Sequence, residues 1–395
     1  VLKASLSINQ LWLFTAMVTS FCFAAYDADD TLKLNAAIDY RYDDNVFLLP
    51  NSSSNSITRE YGQRGDSSIV ASVGGRIDVP LSRQVLYVAA NAARQQYLKF
   101  DELNYTSWNG QLGWKWQVGS QFSGDLNARA SYSMNSFEDV RNGIIDMIND
   151  NSASWNGNWL FSSNWALLAN IGYDEQTHSD LKYQDARVVN YGLGVRFNTD
   201  KGSVISLIHQ WQDYSYLRNL FLPADKRGYH EQNTRLSLLW PVTANLNLTA
   251  NAGLSSWKSK ADTASTESKP QGDIGFNWQI TDKTKVSAGV GQNFEQFNDG
   301  AGRNLERTAY FSSGWAMTEK LSWLFNFNYR QQERESTLGI NGRKQNYNTT
   351  RLSAAYRPIR SVSINPYFQY ITSNVDKGLD DYDDAQAGVF VRYDY

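Results

Sequence analysis

FSGDLNARASYSM, from Phe122 to Met134, decides the fold. Phe122, Gly124, Leu126, Ala128, Ala130, Tyr132 and Met134 are apolar or aromatic, whereas Ser123, Asp125, Asn127, Arg129, Ser131 and Ser133 between them are polar. A period of two is that of an extended strand with one apolar face and one wet face. The pattern recurs along the chain. Leu32, Leu34, Ala36, Ile38 and Tyr40 alternate with Lys33, Asn35, Ala37 and Asp39. Val189 to Phe197 and Leu321 to Tyr329 read the same way, with Asn190 and Arg196, or Asn326 and Arg330, on the polar side. No helical period of any length interrupts it.

Short turns rich in Asp, Asn, Gly, Pro and Ser separate some of these stretches: PLSR (80–83), VGSQ (118–121), SSN (162–164), TDKG (199–202), PVTAN (241–245), TDKT (281–284), TEK (318–320) and PIRS (358–361). Longer polar segments separate the others, at 43–66, 100–106, 136–152, 174–187, 215–231, 258–270, 297–306, 335–347 and 374–383. Eight short turns alternating with nine long loops make eighteen strands, with both chain ends on the short-turn side. Strands of about 11 residues span a tilted hydrocarbon layer. The expectation is an all-β fold: a transmembrane antiparallel up-and-down β-barrel of about 18 strands, short turns at one end and long loops at the other. A soluble propeller would repeat a blade motif, and none is present. A soluble sandwich has no reason to segregate long connections from short ones.

Composition agrees. The chain has 395 residues, 14% of them aromatic, including 13 Trp and 23 Tyr. Mean hydropathy is negative, as a barrel with a polar lumen requires. Trp114, Trp116, Trp155, Trp159, Trp165, Trp240, Trp278 and Trp323 lie near strand ends, where aromatic girdles meet the membrane interface. A net charge of −3 gives no reason to expect a nucleic-acid partner. The single cysteine, Cys22, falls in an N-terminal segment whose apolar run Leu11–Ala24 reads as a signal peptide cleaved after Ala24, so residues 1–24 are the leader and 25–395 the barrel. Lys3 is the only charge ahead of that run; an uncleaved anchor or a lipoprotein are the alternatives. Too little chain precedes the first strand for a plug domain, so a plugged, energised transporter is not expected.

The alternation also assigns the lumen. Lys33, Arg76, Arg129, Arg196, Arg235, Arg330, Arg351, Arg357 and Arg392 fall on the polar face, with Asp39, Asp78, Asp125, Asp273 and Asp394. The lumen is thus expected to lean positive, with compensating acids in loops such as Leu379–Gln386. Rings of Arg and Lys favour anions; the alternative is that these cations only brace the wall. Lumen Asn, Gln, Ser and Tyr would also suit hydroxyl-rich ligands.

Other chemistry is sparse. Asp380, Asp381, Asp383 and Asp384 could attract calcium, but no twelve-residue calcium loop is present, so a solvated acidic loop is expected. His178-Ser179-Asp180 sits at a loop; an Asp–His pair could activate water, yet nothing else completes a site. His209 reads as a wall residue. No enzyme, cofactor or metal is expected.

YRYDDNVFLLP, Tyr40 to Pro50, closes the first strand and opens the first loop. It resembles the D-D-N-[VL]-[FY] box of the EpsL-type outer-membrane β-barrels of exopolysaccharide operons, within a larger putative β-barrel porin family. LNYTSWNGQLGWKW (Leu103–Trp116) is similar to them too. The resemblance implies an outer-membrane channel exporting a polysaccharide, with no catalytic residues; as the sequence shows no periplasmic helical-repeat domain, any periplasmic export proteins are expected to be separate chains. Read from the residues alone, Asp43, Asp44 and Asn45 shape the turn while Val46, Phe47 and Leu48 pack on a neighbouring loop. Two other functions remain open: a general or substrate-specific porin for small anions or sugars, and a plugged structural or adhesive barrel.

The ending GVFVRYDY, Gly388–Tyr395, is expected to be the last strand, pairing with residues 31–41. Val389, Val391, Tyr393 and Tyr395 should meet lipid and Arg392 the lumen. This apolar, aromatic-ended face resembles the signal read by the outer-membrane insertion machinery.

Overall fold

A computed structural model describes residues 31–51, 63–138, 144–218, 227–260, 266–296, 302–336, 344–376 and 381–395. The proposed leader, with Lys3 and Cys22, lies outside the described residues, as does Asp380.

The chain forms β1 (Leu32–Asp43), β2 (Asp66–Leu81), β3 (Gln84–Tyr97), β4 (Tyr105–Val118), β5 (Phe122–Met134), β6 (Met147–Leu160), β7 (Trp165–His178), β8 (Ala186–Asn198) and β9 (Val204–Tyr216). It continues with β10 (Tyr229–Thr243), β11 (Leu246–Ser259), β12 (Glu267–Thr281), β13 (Thr284–Gln296), β14 (Gly302–Ala316), β15 (Leu321–Ser336), β16 (Lys344–Ile359), β17 (Val362–Val375) and β18 (Tyr382–Asp394). Every strand pairs antiparallel with its neighbours in sequence, and β18 pairs with β1, closing an 18-stranded ring. At the seam Ile38 faces Val391, and Leu34 and Tyr395 exchange two backbone hydrogen bonds of 2.9 Å. Closure matters because a backbone amide left open in lipid costs several kcal/mol (roughly).

All eight short turns fall where the sequence puts them, and the left-handed backbone of Ser82, Gly119 and Gly202 serves three of them. The long loops are shorter than the sequence suggests. β6 begins at Met147 rather than after 152, β7 runs on to His178, and β14 starts at Gly302. Polar residues at these strand ends face the wet interior or stand above the lipid, so they resemble loop while completing the ladder.

The outer face is apolar and unsheltered by protein: Val73 is 63% and Leu193 61% exposed in the isolated chain. Val389, Val391, Tyr393 and Tyr395 lie on this face. Trp114, Trp159, Trp165, Trp240, Trp278 and Trp323 are exposed near the short turns. Trp116 and Trp155 are less so, because their rings cover Gly124 and Gly157. His209 sits on the same outer face, its ring edge against Trp211 at 4.2 Å and Nδ1 2.7 Å from Thr234 Oγ1.

Prolines inside strands mark breaks in the ladder, as their missing N–H demands. Pro366 sits where the β16–β17 pairing skips between Ser353–Tyr367 and Tyr356–Ile364. Pro270 pairs towards β11, whereas β12 and β13 pair only from Gly272 and Gln292 down. Beyond that point β13 has no ladder partner on its β12 side, while β14 stays paired with β15 up to Gly302.

Candidate solute pathway through the barrel

Eighteen tilted strands about 4.8 Å apart enclose a ring on the order of 35 Å between opposite backbones. Three features fill that space.

The first is a set of loops turned inward. Val46, Phe47 and Leu49 of the first loop, Phe100 and Leu103 after β3, and Phe137 after β5 form one buried apolar cluster. Phe47 is central, its ring 5.0 Å from Phe100 and 4.8 Å from Phe137. The Asp43–Leu48 box holds Phe47 there. Asn45 N–H donates to Asp43 Oδ1 (3.0 Å), Leu49 N–H to Asn45 Oδ1 (2.8 Å), and Asn45 Nδ2 to the carbonyls of Leu49 (3.0 Å) and Asp383 (2.9 Å). Leu48 takes a left-handed backbone, φ 49°. Just past Phe137, Glu138 pairs with Arg330 on β15, nearly opposite β5 in the ring. The segment that leaves β5 thus reaches across the lumen as far as Glu138 and is bolted there to the far wall.

The second is the β13–β14 hairpin. By strand parity Arg303 should face outward, yet it is fully buried. Its Nη1 donates to Ser255 Oγ (2.9 Å) and approaches Glu231 (3.9 Å), while its guanidinium lies over the rings of Phe294 (3.8 Å) and Trp257 (5.0 Å). The hairpin therefore leans inward and covers the apolar patch of Val188, Tyr214, Tyr229 and Trp257 on the inner wall.

The third is the charged lining. All nine cations assigned to the lumen occupy the inward register. Arg76 binds Asp78 (2.7–2.9 Å) and lies 4.1 Å over Tyr87, with Lys33 at 3.7 Å from Asp78. Arg196 donates to Asn158 Oδ1 (2.8 Å), and Arg392 to Asp394 (2.6 Å). Arg351 lies 4.1 Å over Tyr367, whose hydroxyl donates to Asp39. Arg330 is buried over Tyr347 (4.1 Å). Arg235 faces Gly253 on β11, and Arg357 lies near the short-turn end. Arg129 is exposed to the lumen with no ion pair among the described residues. Tyr87 and Tyr367 also lie flat across Gly113 and Gly388, where an added Cβ would fall 2.1 and 2.6 Å from the ring. These glycines let the tyrosines lie along the wall and carry the arginines.

Charge is divided along the lumen. Cations dominate its middle and short-turn end, but the loop end of the same wall is acidic, with Asp43, Asp66, Asp174, Glu231, Glu306 and Asp384. Strand parity reaches these acids once the strands are extended, because polar residues at strand ends resemble loop; it also places Arg41 of β1 beside Lys33 and Asp39. Nothing in the sequence signals Arg303 or Glu138, whose positions depend on bends.

The acidic segment near the C terminus is likewise not a solvated loop. Asp384 is fully buried on β18, and Asp381 accepts the Val375 N–H at 2.7 Å. His178 is structural: its backbone N–H donates to Asp185 Oδ1 (2.7 Å), and Asp146, 4.0 Å from its Nε2, accepts the backbone N–H groups of Asp180 (3.0 Å) and Leu181 (3.2 Å).

No protein-family model matches the chain, and no curated protein matches it. Solved structures do, at the level of fold. OpdK of Pseudomonas aeruginosa with vanillate matches at TM-score 0.51 and 10% identity, covering 92% of this chain and 99% of that one. OccK2 (OpdF) of the same organism in complex with glucuronate matches at 0.51 and 11%, covering 94% and 99%. A BenF-like porin from Pseudomonas fluorescens Pf-5 matches at 0.51 and 10%, covering 93% and 99%. The fold is that of 18-stranded outer-membrane porins.

Proposed function

We propose that this chain is an outer-membrane porin, a passive path for small anionic solutes. The observation that carries the reading is the inward loop bolted by Glu138 to Arg330 above a basic middle lumen. A wide bore would suit a polymer; one narrowed by a packed loop suits a small molecule, and Arg129, Arg235 and Arg351 beneath it favour a negative one. Vanillate and glucuronate, the carboxylates named with two of the similar structures, indicate the solute class. No general acid–base or nucleophilic machinery is needed for such passage.

Export of an exopolysaccharide is the second reading, favoured by the Tyr40–Pro50 resemblance. It requires the Phe47 cluster to open, with separate periplasmic proteins feeding the polymer. In either case Val389, Val391, Tyr393 and Tyr395 would guide assembly by the insertion machinery after export by the N-terminal leader.

Purified barrel in planar bilayers and liposomes separates these readings. The porin reading expects steady single-channel current, an anion-preferring reversal potential in a salt gradient, and uptake of small carboxylates. Current blocked by a long anionic polysaccharide, together with loss of surface polymer on gene deletion, would transfer the case to export. A barrel that passes no ions would be a structural one and would overturn both.

A further inference from the structure

We propose that the barrel mouth holds a divalent cation of the calcium class, bound by Asp43, Asp44 and Asp384 where the first loop meets the last strand. Each of the three offers a carboxylate oxygen, and these oxygens lie within 4.8 Å of one another. Two oxygens on one calcium ion at 2.3–2.6 Å are at most about 5 Å apart, so the spread suits calcium; the shorter bonds of magnesium require a tighter set. The donors are all hard oxygens, the preference of this cation class.

An independent observation comes from Asp384. It is fully buried, and its Oδ1 has no hydrogen-bond partner. A buried carboxylate oxygen without a donor is costly, and a cation removes the cost. The other contacts hold the ligands in place. Gln386 Nε2 donates to Asp384 Oδ2 (2.7 Å) and Asp43 Oδ2 (3.1 Å), Asn45 N–H to Asp43 Oδ1 (3.0 Å), and Ala385 N–H to Asp44 Oδ1 (2.7 Å). Arg41 is the nearby cation, but its single charge is shared between Asp43 and Asp39. Asp44 is exposed and gives an ion its entry. The bound ion would clamp the first loop, and with it Phe47, to β18. This proposal rests on the fold and not on the porin reading, and its test measures no transport.

Folded, heat-modifiable protein is stripped with chelator in detergent and titrated with terbium, exciting the tyrosines, of which Tyr42 and Tyr382 adjoin the ligands in sequence. The expected result is a saturable one-site signal displaced by calcium, with an affinity of about 0.1–1 mM as in extracellular calcium modules, and a calcium-dependent rise in unfolding temperature. Asp44→Asn should weaken binding at least about tenfold, the scale of losing one charged ligand. Asp384→Asn should abolish the calcium-dependent rise while remaining as stable as wild type in chelator, because it removes a buried charge. A wild-type barrel that is folded yet shows no saturable terbium signal overturns the proposal. So does a calcium response that survives in both variants, or an unfolding temperature that ignores calcium and falls with rising pH, which would assign the Asp43–Asp384 pair a shared proton.

Discussion

Phe47→Ala tests whether the inward loops narrow the lumen. Phe47 is 3% exposed and packs on two other rings at 5.0 and 4.8 Å. Truncating a phenylalanine buried this way costs about 3–5 kcal/mol, with about 0.5–1.5 kcal/mol for each ring pair. None of that cost falls on the strand ladder, because Phe47 belongs to the loop after β1. It falls on the equilibrium between the packed loops and looser arrangements. At the low end, about 3 kcal/mol raises the loosened population roughly a hundredfold. Single-channel recording should then show higher mean conductance and more open-channel noise, and backbone amides of residues 45–49 and 100–104 should exchange faster. Heat-modifiable migration on gels, which reports the closed ring, should be unchanged. Conductance, noise and exchange all equal to wild type in a correctly assembled variant would refute the claim that this cluster shapes the path.

Deleting Asp394 and Tyr395 removes the two Leu34–Tyr395 hydrogen bonds and the Asp394 N–H bond to the Ser361 carbonyl at 2.9 Å; heat-modifiable barrel should fall sharply in membranes, and normal assembly would count against this seam. Gly113→Ala puts a methyl 2.1 Å from the Tyr87 ring and should destabilise by about 1–3 kcal/mol in detergent unfolding; adding Tyr87→Ala should make the second substitution cheaper than it is alone, and simple additivity would deny the contact. Arg129→Ala, by removing a lumen cation with no ion pair among the described residues, should shift the reversal potential towards cations at low salt, an effect that fades at 1 M salt, where screening acts within about 3 Å.

The strand pattern was legible because lipid on one side and water on the other leave little freedom in the choice of residue. All eighteen strands and all eight short turns follow from that alternation. It failed where the outside is no longer lipid. Asn149, Asp150 and Asn151 belong to β6 and pair in full register with β5 and β7, but polar residues on both faces look like loop. The interior of the mouth was illegible for another reason. Glu138 meets Arg330 and Asp43 meets Asp384 across separations of 192 and 341 residues, and no local pattern encodes such encounters. The packing role read for Val46–Leu48 fared better, since three apolar residues just after a strand must find a dry surface.

The axial separation of charge inside the ring has an electrical consequence. An acidic segment at the loop end in series with a basic middle is a junction between a cation-selective and an anion-selective zone. When the loop side is made positive, cations enter through the acidic zone and anions through the basic one, so both accumulate at the boundary between them. Reversing the voltage draws both away and leaves the boundary depleted. The barrel would therefore act as a rectifier, carrying more current at one polarity than at the other, and the favoured polarity would reveal which way round it sits in a bilayer.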